Sequence, residues 1–186
     1  MEWFWSFFFY SFLGFLLETG YALWMGEDPD RKCLLLLPLC PVYGAGVCAV
    51  LLLPDALLRP PLLLLAVGGL TAAGVEYLAA LFYQKCLKVS FWDYHGLPGS
   101  LHGRVCLPFA LAWGILLLPT VYWVHPAAVK LFADIPAPVS WAALAALVGD
   151  LVISAVRLRA SGNIRCLRWY CRSGSAHPPS AKPFKS

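Results

Sequence analysis

Charged side chains are scarce in this sequence. Only 13% of its 186 residues are Asp, Glu, Lys or Arg, while 60% are hydrophobic and the mean hydropathy is +0.70. A soluble domain usually carries about 25% charged residues. A soluble fold of this length could not cover its surface with so few charges, so the composition predicts an all-α integral membrane protein.

Common catalytic and nucleotide-binding signatures are missing as well. The chain has no Gly-Lys pair and therefore no P-loop, so it could not hydrolyse ATP by that route on its own. It also lacks Gly-x-Ser-x-Gly and His-Glu-x-x-His. We expect a protein without a cofactor and without catalytic activity of its own.

Cysteine pairs with CxxC spacing are absent, and the total number of cysteines is odd. Most cysteines lie in apolar stretches, which favours small buried hydrophobic residues over a disulfide framework. The seven are Cys33, Cys40, Cys48, Cys86, Cys106, Cys166 and Cys171.

Long hydrophobic runs are what the sequence has instead. A spanning helix needs about 20 mostly apolar residues, and about five stretches approach that length. No basic segment precedes the first, so we expect a retained helix rather than a signal peptide. Pro38 and Pro41 interrupt the second, which predicts a broken or re-entrant helix near Pro38–Gly46. The predicted spans are residues 3–25, 34–53, 62–84, 105–124 and 139–156.

The distribution of basic residues predicts an orientation. If five helices span with the N-terminus outside, twelve of the 14 Lys and Arg residues lie inside, and only Arg59 and Lys130 lie outside. Inside loops of membrane proteins carry such an excess. The prediction is therefore a cell-membrane bundle over residues 1–158, with a basic, partly disordered cytoplasmic tail over residues 159–186.

Three acidic residues, Glu18, Glu76 and Asp150, lie inside the predicted spans. Each costs about 2.5–3.5 kcal/mol at the centre of a spanning helix. They fall at similar depths in the inner half of the bilayer, on stripes of small and polar residues that should face the bundle interior. One interpretation is a polar pocket or pathway open to the cytoplasm. The other is that the acids hold helices together.

A polar and aromatic segment, residues 85–104, separates the third and fourth predicted spans. Trp92, Asp93 and Tyr94 lie in it, and Arg104 stands at the start of the fourth span. Arg104 could reach Glu18 or Glu76, or bind a lipid phosphate. The alternative is that Trp92 and Tyr94 anchor the segment at the headgroups.

Several short motifs between about residues 8 and 125 carry a family resemblance. They are Phe12–Glu18 with Tyr21, Pro38–Gly46 around Tyr43, Glu76-Tyr77, Trp92-Asp93-Tyr94, Gly103-Arg104 and Trp113-Gly114. In order and spacing the chain resembles type IV ABC-transporter membrane proteins of CmpB type. It departs from them before Gly103, where that family tends to have asparagines and this chain has Ser100 and His102.

The resemblance implies a multi-pass permease subunit. The residues expected to line its substrate path are Glu18, Tyr21, Tyr43, Glu76, Trp92, Asp93, Tyr94, Arg104 and Asp150. The expected partners are membrane lipids, a separate ATPase subunit and further copies of the chain, but not nucleic acid. Two alternatives stay open: an intramembrane enzyme acting on lipid-linked substrates, and a membrane scaffold or accessory subunit.

Overall fold

The computed structural model describes residues 1–25 and 33–167, and that part of the chain is mostly helical. It contains no β-strand, only an isolated bridge between Leu101 and Val105. The helices are α1 (Glu2–Trp24), α2 (Pro41–Leu51), α3 (Asp55–Leu58), α4 (Pro61–Leu87), α5 (Leu107–Ala133) and α6 (Ala137–Ser161), followed by a 3₁₀ turn at Ile164–Leu167. The predicted all-α membrane fold is confirmed.

Four helices, α1, α4, α5 and α6, are long and apolar enough to cross a membrane. They have 23 to 27 residues, and at 1.5 Å per residue they exceed the hydrocarbon thickness of about 30 Å. We call the side that carries Met1 and α3 the N-terminal face. The side that carries residues 88–106 is the loop face.

The second crossing is helical over only part of its length. Helix α2 has 11 residues and is therefore about 16 Å long, roughly half of what a crossing needs. It begins at Pro41, where the missing N–H costs no helical hydrogen bond. The break predicted near Pro38–Gly46 is thus confirmed, and an irregular loop, residues 33–40, precedes the helix.

Protein groups satisfy the backbone of this loop. The Leu36 and Leu37 N–H groups donate to the two carboxylate oxygens of Asp150 on α6, at 3.1 and 2.8 Å. The Cys40 N–H donates to the Ser11 carbonyl of α1 at 2.7 Å. Irregular backbone at membrane depth needs such partners, because the hydrocarbon has none to offer.

The ends of the loop are joined by a disulfide between Cys33 and Cys40, whose Cα atoms lie 4.9 Å apart. The expectation that the cysteines serve mainly as buried hydrophobic residues misses this pair. In a helix, two residues seven apart would be about 10 Å apart along the axis, too far for a disulfide. Only the folding of residues 33–40 into a loop makes the bond possible.

Helices α4 and α5 contain π-helical turns. They lie at Leu64–Gly68, Tyr83–Leu87 and Thr120–Val124. The third turn leads into His125-Pro126, and the helix continues to Ala133. Residues 125–133, which lie between the fourth and fifth predicted spans, therefore extend α5 beyond the predicted span 105–124. A π turn can accommodate the N–H that Pro126 lacks without ending the helix.

Close packing of α1 on α2 fixes the wall of the bundle. The two helices are antiparallel, and Gly14 of α1 lies directly against the Tyr43 ring while Gly44 of α2 lies against Ser11. Small residues allow such close approach. Helix α2 then packs on α4, and α4 on α5. Helix α6 contacts the loop at residues 33–40 and the C-terminal end of α4, and its Ser140 hydroxyl accepts from the Trp5 indole of α1 at 2.9 Å.

Candidate functional site

A cavity of about 250 Å³ lies among α1, α2, α4, α5 and the segment 88–106. Six of the nine residues predicted to line a substrate path border it. Those six are Glu18, Tyr21, Tyr43, Glu76, Trp92 and Tyr94; the other lining residues are Leu17, Cys40, Val42, Phe109, Ala112, Trp113 and Leu116.

Glu18 contributes the first carboxylate. It is half-buried on α1, and the Tyr43 hydroxyl of α2 donates to its Oε1 atom at 2.8 Å. The contact of Gly14 with the Tyr43 ring positions this hydroxyl, since a side chain at residue 14 would occupy the place of the ring. The pair therefore depends on the close α1–α2 crossing.

Glu76 contributes the second carboxylate, which is only 6% exposed. Tyr94 donates to its Oε1 atom at 2.9 Å, and the Trp113 indole N–H donates to Oε2 at 3.1 Å. Burial, and then the neighbouring Glu76 carboxylate, raise the pKa of the Tyr94 hydroxyl well above its usual range, so that it stays a donor. Both oxygens of Glu76 thus accept hydrogen bonds from fixed donors.

Aromatic rings make up much of the remaining wall. The Tyr43 and Trp113 rings lie 4.7 Å apart and are tilted by 42°, while Tyr94 stacks on Phe109 at 4.7 Å with an interplanar angle of 19°. These contacts are typical of stable aromatic pairs. The cavity therefore combines two hydrogen-bonded carboxylates with aromatic surfaces.

The segment 88–106 places Trp92 and Tyr94 at the cavity, and Arg104 holds this segment against α4. The Arg104 Nε donates to Gln84 at 2.9 Å, its Nη1 donates to the Tyr77 hydroxyl at 3.2 Å, and its guanidinium lies 5.2 Å from the Tyr77 ring centre. The Arg104 carbonyl accepts from the Trp92 indole at 2.9 Å. Over the described residues, Arg104 reaches neither Glu18 nor Glu76.

Asp93 turns away from the cavity. Its Oδ1 accepts from the His95 backbone N–H at 2.9 Å and pairs with His95 Nδ1 at 2.5 Å, and both side chains are exposed. Gly103 packs against this pair with φ +69°, so that a Cβ there would overlap the His95 ring. Asp93 therefore shapes the turn that presents Tyr94.

Asp150 lies in another part of the bundle. It is buried on α6, accepts from Leu36 and Leu37 as described, and accepts from the Ser154 hydroxyl at 3.1 Å. It does not border the cavity. The sequence predicts a similar depth for Asp150, Glu18 and Glu76, but Asp150 does not lie beside the two glutamates.

Trp113 and Phe109 are the aromatic site residues that do not belong to the nine predicted from the sequence. In the sequence, Trp113 is singled out only within the Trp113-Gly114 motif. Its indole N–H is the one polar side-chain group between residues 107 and 118, and it was the available signal, because a buried indole usually finds an acceptor. Phe109 lies four residues earlier, on the same face of α5.

A second cavity, of about 370 Å³, opens at the N-terminal face. It contains none of the predicted site residues. Its polar lining includes Glu2, Ser6, Asp55, Arg59 and His125, and the Asp55–Arg59 ion pair at its rim is exposed to solvent. We take the smaller cavity as the candidate site because buried carboxylates and aromatic rings converge there.

A comparison with known protein families shows which family the chain belongs to. Residues 5–156 match the family described as Putative ABC-transporter type IV. The chain belongs to this family. No curated protein and no solved structure matches it. The match contains every residue of the candidate site, so family membership and the cavity concern the same part of the protein.

Proposed function

We propose that this chain is the membrane-embedded permease subunit of an ABC-type transporter, and that the cavity between Glu18 and Glu76 holds the transported solute. The observation that carries the proposal is a polar, aromatic cavity inside an otherwise apolar bundle of an ABC-transporter family. Buried ionisable residues in a membrane mark substrate or ion pathways more often than ordinary structure.

The broken second crossing supports a transport role. In many transporters, substrate sites form where helices are interrupted near the middle of the bilayer. Here Cys40, Val42 and Tyr43, at the start of the half-length helix α2, border the cavity. The interruption therefore lies at the proposed site.

ATP hydrolysis is assigned to a separate subunit, because the chain has no P-loop. We propose that the N-terminus lies outside the cell and the loop face lies in the cytoplasm, where an ATPase would dock. The predicted basic tail falls on the same side; its residues 168–186 lie outside the described part of the chain. We also propose that two or more copies assemble, because five crossings are few for one transport path.

Purification of the tagged chain from its own membranes tests this assignment. We expect a P-loop ATPase to co-purify in stoichiometric amounts, and the reconstituted complex to hydrolyse ATP. Glu18→Gln and Glu76→Gln should lower the rate of ATP hydrolysis by about tenfold if the cavity is coupled to the ATPase. Their thermal unfolding in detergent should change little.

Asp55→Asn is the matched control, because it makes the same type of change at an exposed residue on the other face. A complex without an ATPase would contradict the permease assignment. Loss of folding in both glutamate variants would instead favour acids that hold the helices together. Turnover of lipid by the purified chain alone would favour the enzyme alternative.

A further inference from the structure

The chemistry of the cavity restricts what it can bind. Its described lining residues include two carboxylates but no Lys, Arg or His. Over residues 1–25 and 33–167, neither Glu18 nor Glu76 has a basic side chain within ion-pair distance. An anionic solute would be repelled by both carboxylates and would find no cation to pair with.

The protein groups that contact the two carboxylates are hydrogen-bond donors. The Trp113 indole can only donate, so Glu76 Oε2 must accept from it. The Tyr43 and Tyr94 hydroxyls also donate to carboxylate oxygens. Hydrogen bonds donated to a carboxylate stabilise its charge, and a buried charge without a partner is costly. A cationic ligand would supply that partner.

The aromatic walls select the kind of cation. Five aromatic residues surround the carboxylates: Tyr43, Trp92, Tyr94, Phe109 and Trp113. An aromatic face attracts an alkylated ammonium group, and the attraction is strongest when the ring and the cation are both desolvated. A compact metal cation would instead need about six oxygen ligands. In the described residues, no three His, Cys, Asp or Glu side chains come together to hold a metal ion.

Size and access agree with a small organic cation. The volume of about 250 Å³ lies just below the range of about 300–1,000 Å³ typical of pockets for drug-sized ligands. Leu17 and Tyr21 of α1 and Phe109 and Leu116 of α5 line the cavity and are themselves exposed. The cavity is therefore accessible to a ligand between α1 and α5.

From these observations we infer that the cavity binds a quaternary or alkylated ammonium group, with Glu18 and Glu76 as counter-charges and the aromatic rings as its walls. The cation can belong to a small solute or to the headgroup of a lipid. The identification of this cation as the transported substrate rests on the proposed function. Its binding does not.

The test compares choline with its neutral carbon isostere, 3,3-dimethylbutan-1-ol, by calorimetric titration of the purified protein in nanodiscs. The two ligands have nearly the same shape and differ in charge. We expect choline to bind at least about tenfold more tightly, because only the charged ligand is attracted by the carboxylates and by the aromatic faces. Equal affinity, or no binding of choline, would overturn the inference.

Variants show where choline binds. Glu18→Gln and Glu76→Gln should each weaken choline binding about tenfold or more, and Trp92→Leu should weaken it severalfold. Asp55→Asn should leave the affinity unchanged. Each variant is used only if its unfolding temperature matches the parent protein. Folded glutamate variants with unchanged choline affinity would overturn the assignment to this cavity.

Lipid composition distinguishes the two sources of the cation. If a lipid headgroup occupies the cavity, choline should bind more weakly in phosphatidylcholine nanodiscs than in phosphatidylglycerol nanodiscs. Equal affinity in both would assign a water-soluble cation. Choline binding without an associated ATPase would support this inference and contradict the proposed function. An associated ATPase without choline binding would support the proposed function and contradict this inference.

Discussion

The three membrane-embedded acids have two different kinds of partner. Glu18 and Glu76 accept hydrogen bonds from the side chains of Tyr43, Tyr94 and Trp113 at a cavity. Asp150 accepts from backbone N–H groups of the loop at residues 33–40 and borders no part of that cavity. The first two acids are therefore available to a ligand, whereas Asp150 completes the fold.

The sequence predicts a depth for these acids but not their positions around the bundle. Residue counts along each span give the depth, because a helix rises 1.5 Å per residue. The lateral position of α6 depends on its packing against residues 33–40, which no periodicity in the sequence reveals. The sequence also allows Arg104 to reach Glu18 or Glu76 or to bind a lipid phosphate; in the described residues it donates to Gln84 and Tyr77 and reaches neither acid.

Asp150→Asn should destabilise the protein. The amide keeps one acceptor oxygen and turns an N–H₂ group toward a backbone donor, so one buried N–H loses its partner. The expected cost is about 1–3 kcal/mol, measured as a lower midpoint of unfolding in detergent. Asp55→Asn, in an exposed ion pair, should have a much smaller effect. Equal midpoints for the two variants would contradict the structural role of Asp150.

At the scale of elements, the most consequential contact is the crossing of α1 and α2. It brings the Tyr43 hydroxyl to Glu18 and forms one wall of the cavity. The hydrophobic pattern predicted both segments, and Pro38 and Pro41 predicted the break between them. The hydrophobic pattern could not predict the disulfide, because a pairing between Cys33 and Cys40 requires the loop conformation.

Two glycines on α1 allow a matched test of this crossing. A Cβ at Gly14 would overlap the Tyr43 ring, while a Cβ at Gly20 would meet nothing within 4 Å. Gly14→Ala should therefore lower stability by about 1–3 kcal/mol. Gly20→Ala should be neutral or slightly stabilising, because alanine favours the helix. Thermal unfolding of both variants measures the difference, and similar midpoints would argue against the close crossing.

At the scale of the whole molecule, the described part of the chain begins at the N-terminal face with α1 and ends at the loop face with Leu167, as an odd number of crossings requires. The second crossing is only partly helical, but we count it as one crossing because α2 runs antiparallel to α1 and ends next to α3 at the N-terminal face. The spans could be predicted from hydropathy because lipid demands long apolar helices. The extension of α5 through Pro126 could not be predicted in this way, because it depends on a π turn.

Cysteine labelling in intact cells tests the proposed orientation. Cys86 is exposed near the loop face, whereas Cys106 is buried. With Cys166 and Cys171 replaced by serine, a membrane-impermeant maleimide should label Cys86 only after the membrane is opened. A cysteine introduced by Asp55→Cys should react from outside, because Asp55 lies at the N-terminal face. The reverse pattern would invert the orientation.

The bond between Asp150 and the loop at residues 33–40 also constrains how the protein is made. The ribosome releases residues 33–51 long before it synthesises α6, the helix that supplies the acceptors for Leu36 and Leu37. Helix α2 alone is too short to settle across the bilayer. These hydrogen bonds of the second crossing can therefore form only after α6 has been translated.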